Sequence, residues 1–154
     1  MDWCRYRFHT VWDLTARPDA VYDVLAHAED YPSWWPQVRS VTADGEDSGT
    51  ARFRSFLPYE LRVTARAVRR DPVARVLEVA LEGDLEGWAR WSVGGGGRGT
   101  RAVYDQEVVV RRPLMRRLAL PCRPLFRANH TAMMRAGLRG IDARLREGNR
   151  RKEI

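Results

Sequence analysis

The stretch from Pro121 to Glu147 most constrains what this chain can fold into. Apolar residues recur in it at steps of three and four, and arginines occupy many of the positions between them. This spacing predicts one long amphipathic helix with a single face to bury. The apolar positions are Phe126, Met133, Met134, Leu138, Ile141 and Leu145.

The residues before this helix are typical of short strands separated by turns. Apolar and polar residues alternate over 4–14, which predicts a first strand. Pro18 favours the start of a short helix, which we expect to end before Pro32, and a helical turn fits between Pro32 and Pro36. Turn residues then divide the chain into an antiparallel meander. We expect its strands at 38–43, 51–57, 59–68, 75–82, 85–93 and 100–111.

Together these elements predict an α+β fold. A seven-stranded antiparallel sheet would wrap around the long C-terminal helix, with two short helices after the first strand. Neither a repeat nor a change of composition divides the chain, so we expect one domain over 1–148 and a frayed tail over 149–154. Prolines at 113, 121 and 124 predict that 113–120 forms a separate turn or short helix.

Composition describes an ordinary globular protein, with 44% apolar and 31% charged residues in 154. The sequence contains neither a membrane-spanning apolar run nor a signal peptide, so we expect a cytoplasmic protein. The net charge of +7 comes almost entirely from arginine, since Lys152 is the only lysine. These arginines indicate either solvated faces or an anion-binding surface, which would involve the clusters at 111–112, 116–117 and 150–152.

Several segments resemble the helix-grip superfamily, which includes START domains, the birch-pollen allergen type and polyketide cyclase/dehydrases. They are PDAVYDVL at 18–25, YPSWWP at 31–36, GDLEG at 83–87, GTR at 99–101 and the pair Asn129-His130. The bacterial cyclase/dehydrase-like members are the most similar. The resemblance implies a sheet that grips the terminal helix, with an apolar cavity between them.

Strand alternation and helix spacing predict which side chains line that cavity. From the sheet we expect Trp12, Phe53, Leu57, Tyr59, Leu61, Val79, Leu81, Gly87, Ala89, Trp91, Tyr104, Gln106 and Val108; from the helix, Phe126, His130, Met133, Met134, Gly137 and Leu138. Gly87 and Ala89 would leave room for a ligand. At least one of Trp34 and Trp35 is expected to cap the opening or line a groove; the alternative is that both pack under the strand edge.

Three side chains are candidates for proton transfer. His130 lies four residues from both Phe126 and Met134, on the buried face of the helix. It is either a hydrogen-bonded core histidine or a group that contacts ligand or transfers a proton. Tyr59 and Tyr104 have hydroxyls that can bond a carbonyl or reach water at a rim.

Aromatase/cyclase relatives place a hydroxyl and an arginine on a cavity strand, and Thr64 and Arg66 lie near the corresponding place. Alternation instead puts Leu61, Val63 and Ala65 on the apolar face, with Thr64 and Arg66 facing water.

The sequence therefore predicts a protein that binds a hydrophobic or aromatic small molecule, lipid-like or polyketide-like, in this cavity. A polyketide cyclase, aromatase or dehydratase acting there is the alternative, and binding of membrane or RNA surfaces through arginine is a weaker one. We expect no cofactor and no metal. The glycine motif at 94–99 precedes a strand rather than a helix, and Cys4 and Cys122 have no metal-ligand spacing. We expect a monomer or homodimer without a stable nucleic-acid or membrane partner.

Overall fold

A computed structural model describes residues 4–54, 60–96 and 99–152 of the chain. The helices and strands follow the predicted order, with one turn of 3₁₀ helix at Ala28–Asp30 between the first two helices. They are β1 (Arg5–Leu14), α1 (Pro18–Ala26), α2 (Tyr31–Trp34), β2 (Val38–Ala43), β3 (Ser48–Phe53), β4 (Leu61–Asp71), β5 (Val76–Gly83), β6 (Leu85–Gly96), β7 (Gly99–Val110), α3 (Pro113–Arg117) and α4 (Ala119–Lys152).

The seven strands form one antiparallel sheet in the order β1-β7-β6-β5-β4-β3-β2. From β2 to β7 each strand pairs with its neighbour in sequence, as hairpins favour, and β1 completes the sheet beside β7. The long helix α4 packs on the inward face. The α+β helix-grip fold expected from the sequence is confirmed.

Some element boundaries differ from those expected. β3 starts at Ser48, β6 continues into the glycine run to Gly96, and α4 extends from Ala119 to Lys152. Residues 149–152, which we expected to fray, are therefore helical. Pro121 is tolerated because it falls in the first turn of α4. Gly148 does not end the helix because it does not adopt the left-handed conformation of a helix cap.

Two buried clusters form the core, one at each end of the space between sheet and α4. The larger is made by α1, α2, the C-terminal half of α4 and the sheet; it contains Trp12, Leu14, Val21, Leu25, Trp34, Trp35, Val38, Trp91, Val93, Ala102, Met134 and Ile141. The smaller lies beside α3 and the first half of α4 and contains Cys4, Tyr6, Val108, Val110, Met115 and Phe126.

Trp34, the last residue of α2, and Trp35, directly after it, are both buried, each only 6% exposed. The two rings pack together, which agrees with one alternative, and Trp35 also lines the space between the sheet and α4, which agrees with the other. The rings stack with centroids 5.4 Å apart, and Trp35 Nε1 donates a hydrogen bond to the Met133 carbonyl at 2.9 Å. They fit because α4 carries glycine where they approach it. A Cβ on Gly137 would lie 2.6 Å from the Trp35 ring, and a Cβ on Gly140 would lie 1.8 Å from the Trp34 carbonyl oxygen.

Many arginines of the strands pair with carboxylates of adjacent strands. Arg90 contacts Glu78 at 3.3 Å, and Arg111 contacts Glu86 at 2.9 Å. Similar contacts join Arg5 to Glu107, Arg52 to Glu60 and Arg101 to Asp13. Such partly exposed pairs stabilise a fold by about 1 kcal/mol or less each. Much of the positive charge is thus balanced locally.

We predict that Gly140→Ala lowers the free energy of unfolding by about 2 kcal/mol, because the new methyl group would overlap the Trp34 backbone. Gly148→Ala is the matched control: it lies in the same helix, and nothing comes within 4 Å of the added Cβ. That change should raise the stability by at most about 1 kcal/mol, the helix-propensity gain. Urea denaturation measures both, and equal effects would contradict the packing described.

Candidate functional site

A cavity of about 360 Å³ lies between the two core clusters, bounded by the inward face of the sheet and by α4. Its walls are mostly apolar. They include small side chains on β3, β4 and β6, which do not reach the helix and so leave the space open. These are Ala51, Ala65, Ala67 and Ala89. The cavity thus exists because both ends of the molecule are tightly packed while the middle of the sheet carries small residues.

Most of the residues predicted for this cavity line it. Those placed on its walls are Trp35, Phe53, Leu61, Val79, Leu81, Ala89, Trp91, Tyr104, Gln106, Val108, Phe126, His130, Met133 and Met134. They come from β3 to β7, α4 and the end of α2, so the fold brings together residues that are distant in the sequence. Leu57 and Tyr59 lie outside the described residues.

Five predicted lining residues lie elsewhere. Trp12, Trp34 and Leu138 pack with the larger core cluster. Gly137 accommodates Trp35 and Trp12, so its lack of a side chain serves helix packing. Gly87 adopts φ +153, and a Cβ there would come within 2.0 Å of the Glu107 carbonyl oxygen on β7. Gly87 therefore permits close approach of two strands and leaves no extra room for a ligand.

Sequence reasoning missed several lining residues. Tyr6 and Phe8 share the inward parity of Trp12 on β1, so alternation could have identified them. Asn129 lies three residues after Phe126, a spacing that puts both on one helix face. Tyr31 could not be foreseen as readily, because it belongs to α2 and reaches the cavity through the fold of the α1–α2 connection.

Polar groups form a small network within the apolar wall. The Gln106 side-chain oxygen accepts a hydrogen bond from the Tyr104 hydroxyl at 2.7 Å, and His130 Nε2 lies 3.2 Å from the same oxygen. Since an amide oxygen only accepts, His130 donates through Nε2–H, and its Nδ1 is the unprotonated nitrogen. The network therefore offers a basic ring nitrogen, a phenol and the Gln106 amide group side by side.

Burial sets the protonation states of these groups. The His130 ring stacks on Phe8 with centroids 3.6 Å apart, and burial lowers the pKa of His130 to about 4. Burial also raises the pKa of the Tyr104 hydroxyl above its ordinary value. At neutral pH the site is therefore uncharged, with a neutral imidazole and a protonated phenol.

The cavity reaches solvent at a charged rim. Exposed lining residues come from the turn after α1, the β2–β3 turn and the end of β4. They are Glu29, Glu46, Asp47, Arg69 and Arg70. Arg70 Nη1 lies 4.0 Å from Asp47 Oδ1, a contact that joins two sides of the rim. A ligand would therefore pass from a polar entrance to an apolar interior.

Thr64 and Arg66 lie on the outer face of β4. The Thr64 hydroxyl is 3.2 Å from that of Thr50 on β3, Arg66 is exposed, and the cavity wall is formed instead by Val63 and Ala65. Thr64 and Arg66 therefore face away from the cavity, as strand alternation predicts.

Within 4–54, 60–96 and 99–152 no three His, Cys, Asp or Glu side chains are grouped to hold a metal ion. None of the helices in those ranges combines the length and apolar character that a membrane crossing needs.

A seven-stranded sheet closed over a long helix, with an internal apolar cavity, defines the helix-grip class of proteins. Within that class, the chain belongs to the family described as polyketide cyclase / dehydrase and lipid transport, whose model matches residues 5–146. Comparison by sequence with curated proteins gives no significant match.

Solved structures share the fold at low sequence identity. TTHA0849 from Thermus thermophilus is 17% identical, with 94% of this chain and 98% of that one covered and a TM-score of 0.76. The Zhui aromatase/cyclase from Streptomyces sp. R1128 is 18% identical and has a TM-score of 0.68. The match covers 87% of this chain and 92% of that one. A START superfamily protein from Mycobacterium smegmatis is 14% identical and has a TM-score of 0.70. The match covers 93% of this chain and 97% of that one.

The buried neutral state of His130 predicts acid sensitivity of the fold. Between pH 6.5 and about 4 the unfolded chain binds a proton at this residue and the folded protein does not. The free energy of unfolding should therefore fall over this window by up to about 3 kcal/mol on account of His130. Denaturation at a series of pH values measures this free energy. Over the same window it should fall less for His130→Gln than for the unmodified protein. A fall as steep as that of the parent protein would contradict the buried, neutral state of His130.

Proposed function

We propose that this protein binds a hydrophobic or aromatic small molecule, lipid-like or polyketide-like, in the cavity between the sheet and α4. This proposal rests on the cavity itself, which has a volume of about 360 Å³ and is lined mainly by apolar side chains. Ligand pockets of proteins have volumes of roughly 300–1,000 Å³ and combine apolar walls with a few polar groups. Both features are present here.

The walls suit a flat or flexible apolar ligand. Trp91 and Phe126 offer ring faces, and Met133 and Met134 offer flexible thioethers that adapt to different shapes. Removing each Å² of ligand apolar surface from water contributes about 25 cal/mol. The uncharged Tyr104–Gln106–His130 network orients a polar substituent, since His130 Nδ1 can accept a hydrogen bond and the Gln106 NH₂ group can donate one without burying a charge.

We also propose that the protein acts in the cytoplasm as a monomer or homodimer, without a cofactor and without a stable nucleic-acid or membrane partner. The local pairing of many arginines with carboxylates supports the last point, because it leaves less positive charge to attract polyanions.

A bulky side chain placed in the cavity should abolish binding. We predict that Ala65→Phe, on the cavity face of β4, weakens binding of an apolar fluorescent probe such as 1-anilinonaphthalene by about tenfold or more. Ala80→Phe makes the same change on the outer face of β5, opposite Trp88, and should leave affinity unchanged. Titration followed by probe fluorescence measures both, after native mass spectrometry has shown whether a ligand copurifies. Equal affinities in the two variants would mean that the probe binds outside the cavity.

A second function, polyketide cyclisation, is favoured by the buried network. A poly-keto chain has acidic CH₂ groups between pairs of carbonyls. In an aldol step His130 Nδ1 would take a proton from such a carbon, and the resulting enolate carbon would attack a second carbonyl. The Tyr104 hydroxyl would turn from Gln106 to donate a hydrogen bond to the oxygen that gains negative charge, and the proton held by His130 would pass to that oxygen. A neutral imidazole and a protonated phenol are the states this step requires, and burial maintains both.

We predict that His130→Ala and Tyr104→Phe each lower turnover of a poly-keto substrate by about a hundredfold, the usual contribution of one proton-transfer group. Matched controls are His9→Ala, at an exposed histidine, and Tyr22→Phe, at a buried tyrosine of α1 away from the cavity. Chromatography of the cyclised products provides the measurement. Parent rates in the two cavity variants would leave ligand binding as the function.

A further inference from the structure

One long stretch of the chain carries positive charge without any negative charge. Between Glu107 and Asp142 the sequence contains eight arginines and neither aspartate nor glutamate. Arg111 and Arg112 contact the carboxylates of Glu86 and Asp84. Five others have no carboxylate partner among the described residues, namely Arg116, Arg117, Arg127, Arg135 and Arg139. This stretch therefore differs from the sheet, where many arginines are paired.

The outward side of α4 displays much of this charge. Its exposed residues recur at steps of three and four, so they share one side of the helix. They are Pro121, Pro124, Ala128, Thr131, Arg135 and Arg139. Exposed arginines and leucines continue this surface at its edge and just before the helix. We define the basic face as Arg117, Leu118, Leu125, Arg127, Arg135 and Arg139.

The basic face contains two leucines that project into solvent. Leu118 is 40% exposed and Leu125 is 50% exposed. The Cys122 amide donates to the Leu118 carbonyl at 2.9 Å, so Leu118 is in helical register with α4. Leu125, seven residues later, therefore lies on the same side of the helix. The two side chains form an apolar spot beside the arginines.

Leucines among arginines on one side of a helix suit a membrane surface. Aliphatic side chains enter the boundary between headgroups and acyl chains, while basic side chains attract anionic lipids. A single-stranded nucleic acid would instead be held by stacking on exposed aromatic rings. The aromatic rings of this helix, Phe126 and His130, lie on the cavity wall. The basic face therefore fits an anionic lipid surface better than RNA.

We propose that the basic face docks transiently on anionic lipid surfaces, with α4 lying parallel to the membrane. Its four arginines contact lipid phosphates, and its two leucines enter the headgroup boundary. Each basic side chain near an anionic surface raises affinity about fivefold, so four of them give a dissociation constant of about a millimolar. Binding of this strength is reversible, in agreement with a protein that has no stable membrane partner. The inference goes beyond the proposed ligand binding and does not depend on the cavity.

Sedimentation with vesicles tests the charge requirement on the unmodified protein. It should bind phosphatidylcholine vesicles that contain about 30% phosphatidylglycerol at least about tenfold more tightly than vesicles of phosphatidylcholine alone. Raising the salt concentration from about 50 to about 300 mM should weaken binding by about tenfold or more, because salt screens exposed charges. Both comparisons are made without any substitution.

Charge-neutralising variants test which arginines are involved. Arg117→Gln combined with Arg135→Gln should weaken binding to the anionic vesicles by about 25-fold, which is about fivefold for each arginine. Arg39→Gln combined with Arg66→Gln is the matched control. It removes the same charge from exposed positions on β2 and β4 and should change the affinity by about twofold or less.

A leucine variant tests the apolar contact. Leu125→Gln should weaken vesicle binding by about threefold, because the side chain no longer enters the headgroup boundary. Val73→Gln changes another exposed apolar side chain, in the turn between β4 and β5, and should leave binding unchanged.

Three results would overturn the inference. They are equal binding to the two kinds of vesicle, an equal loss in the two arginine double variants, and binding of a single-stranded RNA oligonucleotide without binding of vesicles. The last result would assign the basic face to a nucleic acid. The cavity is tested separately by titration with 1-anilinonaphthalene, so failure of either proposal leaves the other standing.

Discussion

The contact between the tryptophan pair at the end of α2, Trp34 and Trp35, and the glycine face of α4 determines how the rest of the molecule is arranged. Gly137 and Gly140 let α2 approach the helix backbone, and the Trp35 indole donates to the Met133 carbonyl. Trp35 in turn packs edge-on against Trp12 of β1, at 5.6 Å between centroids. This chain of contacts fixes the distance between α4 and the sheet, and that distance sets the depth of the cavity.

The cavity follows from where bulky side chains are and are not placed. The two core clusters fill the ends of the space, so α4 cannot settle onto the centre of the sheet, where alanines face it. A fold that buried only large residues would close this gap and gain stability from packing. The small residues therefore cost stability and leave room, a combination typical of sites that bind ligands.

Much of this architecture could be predicted from the sequence because it depends on local periodicity. Strand alternation correctly placed Trp91, Tyr104, Gln106 and Val108 on the cavity wall, and helix spacing did the same for His130. Glycines were the main failure. A glycine in a strand or helix has the same local signal whether it leaves room for a ligand, as expected for Gly87, or admits a neighbouring backbone, as observed. That distinction depends on partners distant in the sequence, as does the network around Gln106.

The aromatic rings beside the cavity form one continuous series. Trp34, Trp35, Trp12, Trp91 and Tyr104 follow one another with successive centroids 5.4, 5.6, 4.6 and 4.8 Å apart. Energy transfer between indole rings is efficient at such separations. A ligand that quenches Trp35 or Trp91 on the cavity wall should therefore also lower the emission that starts from excitation of Trp12 or Trp34.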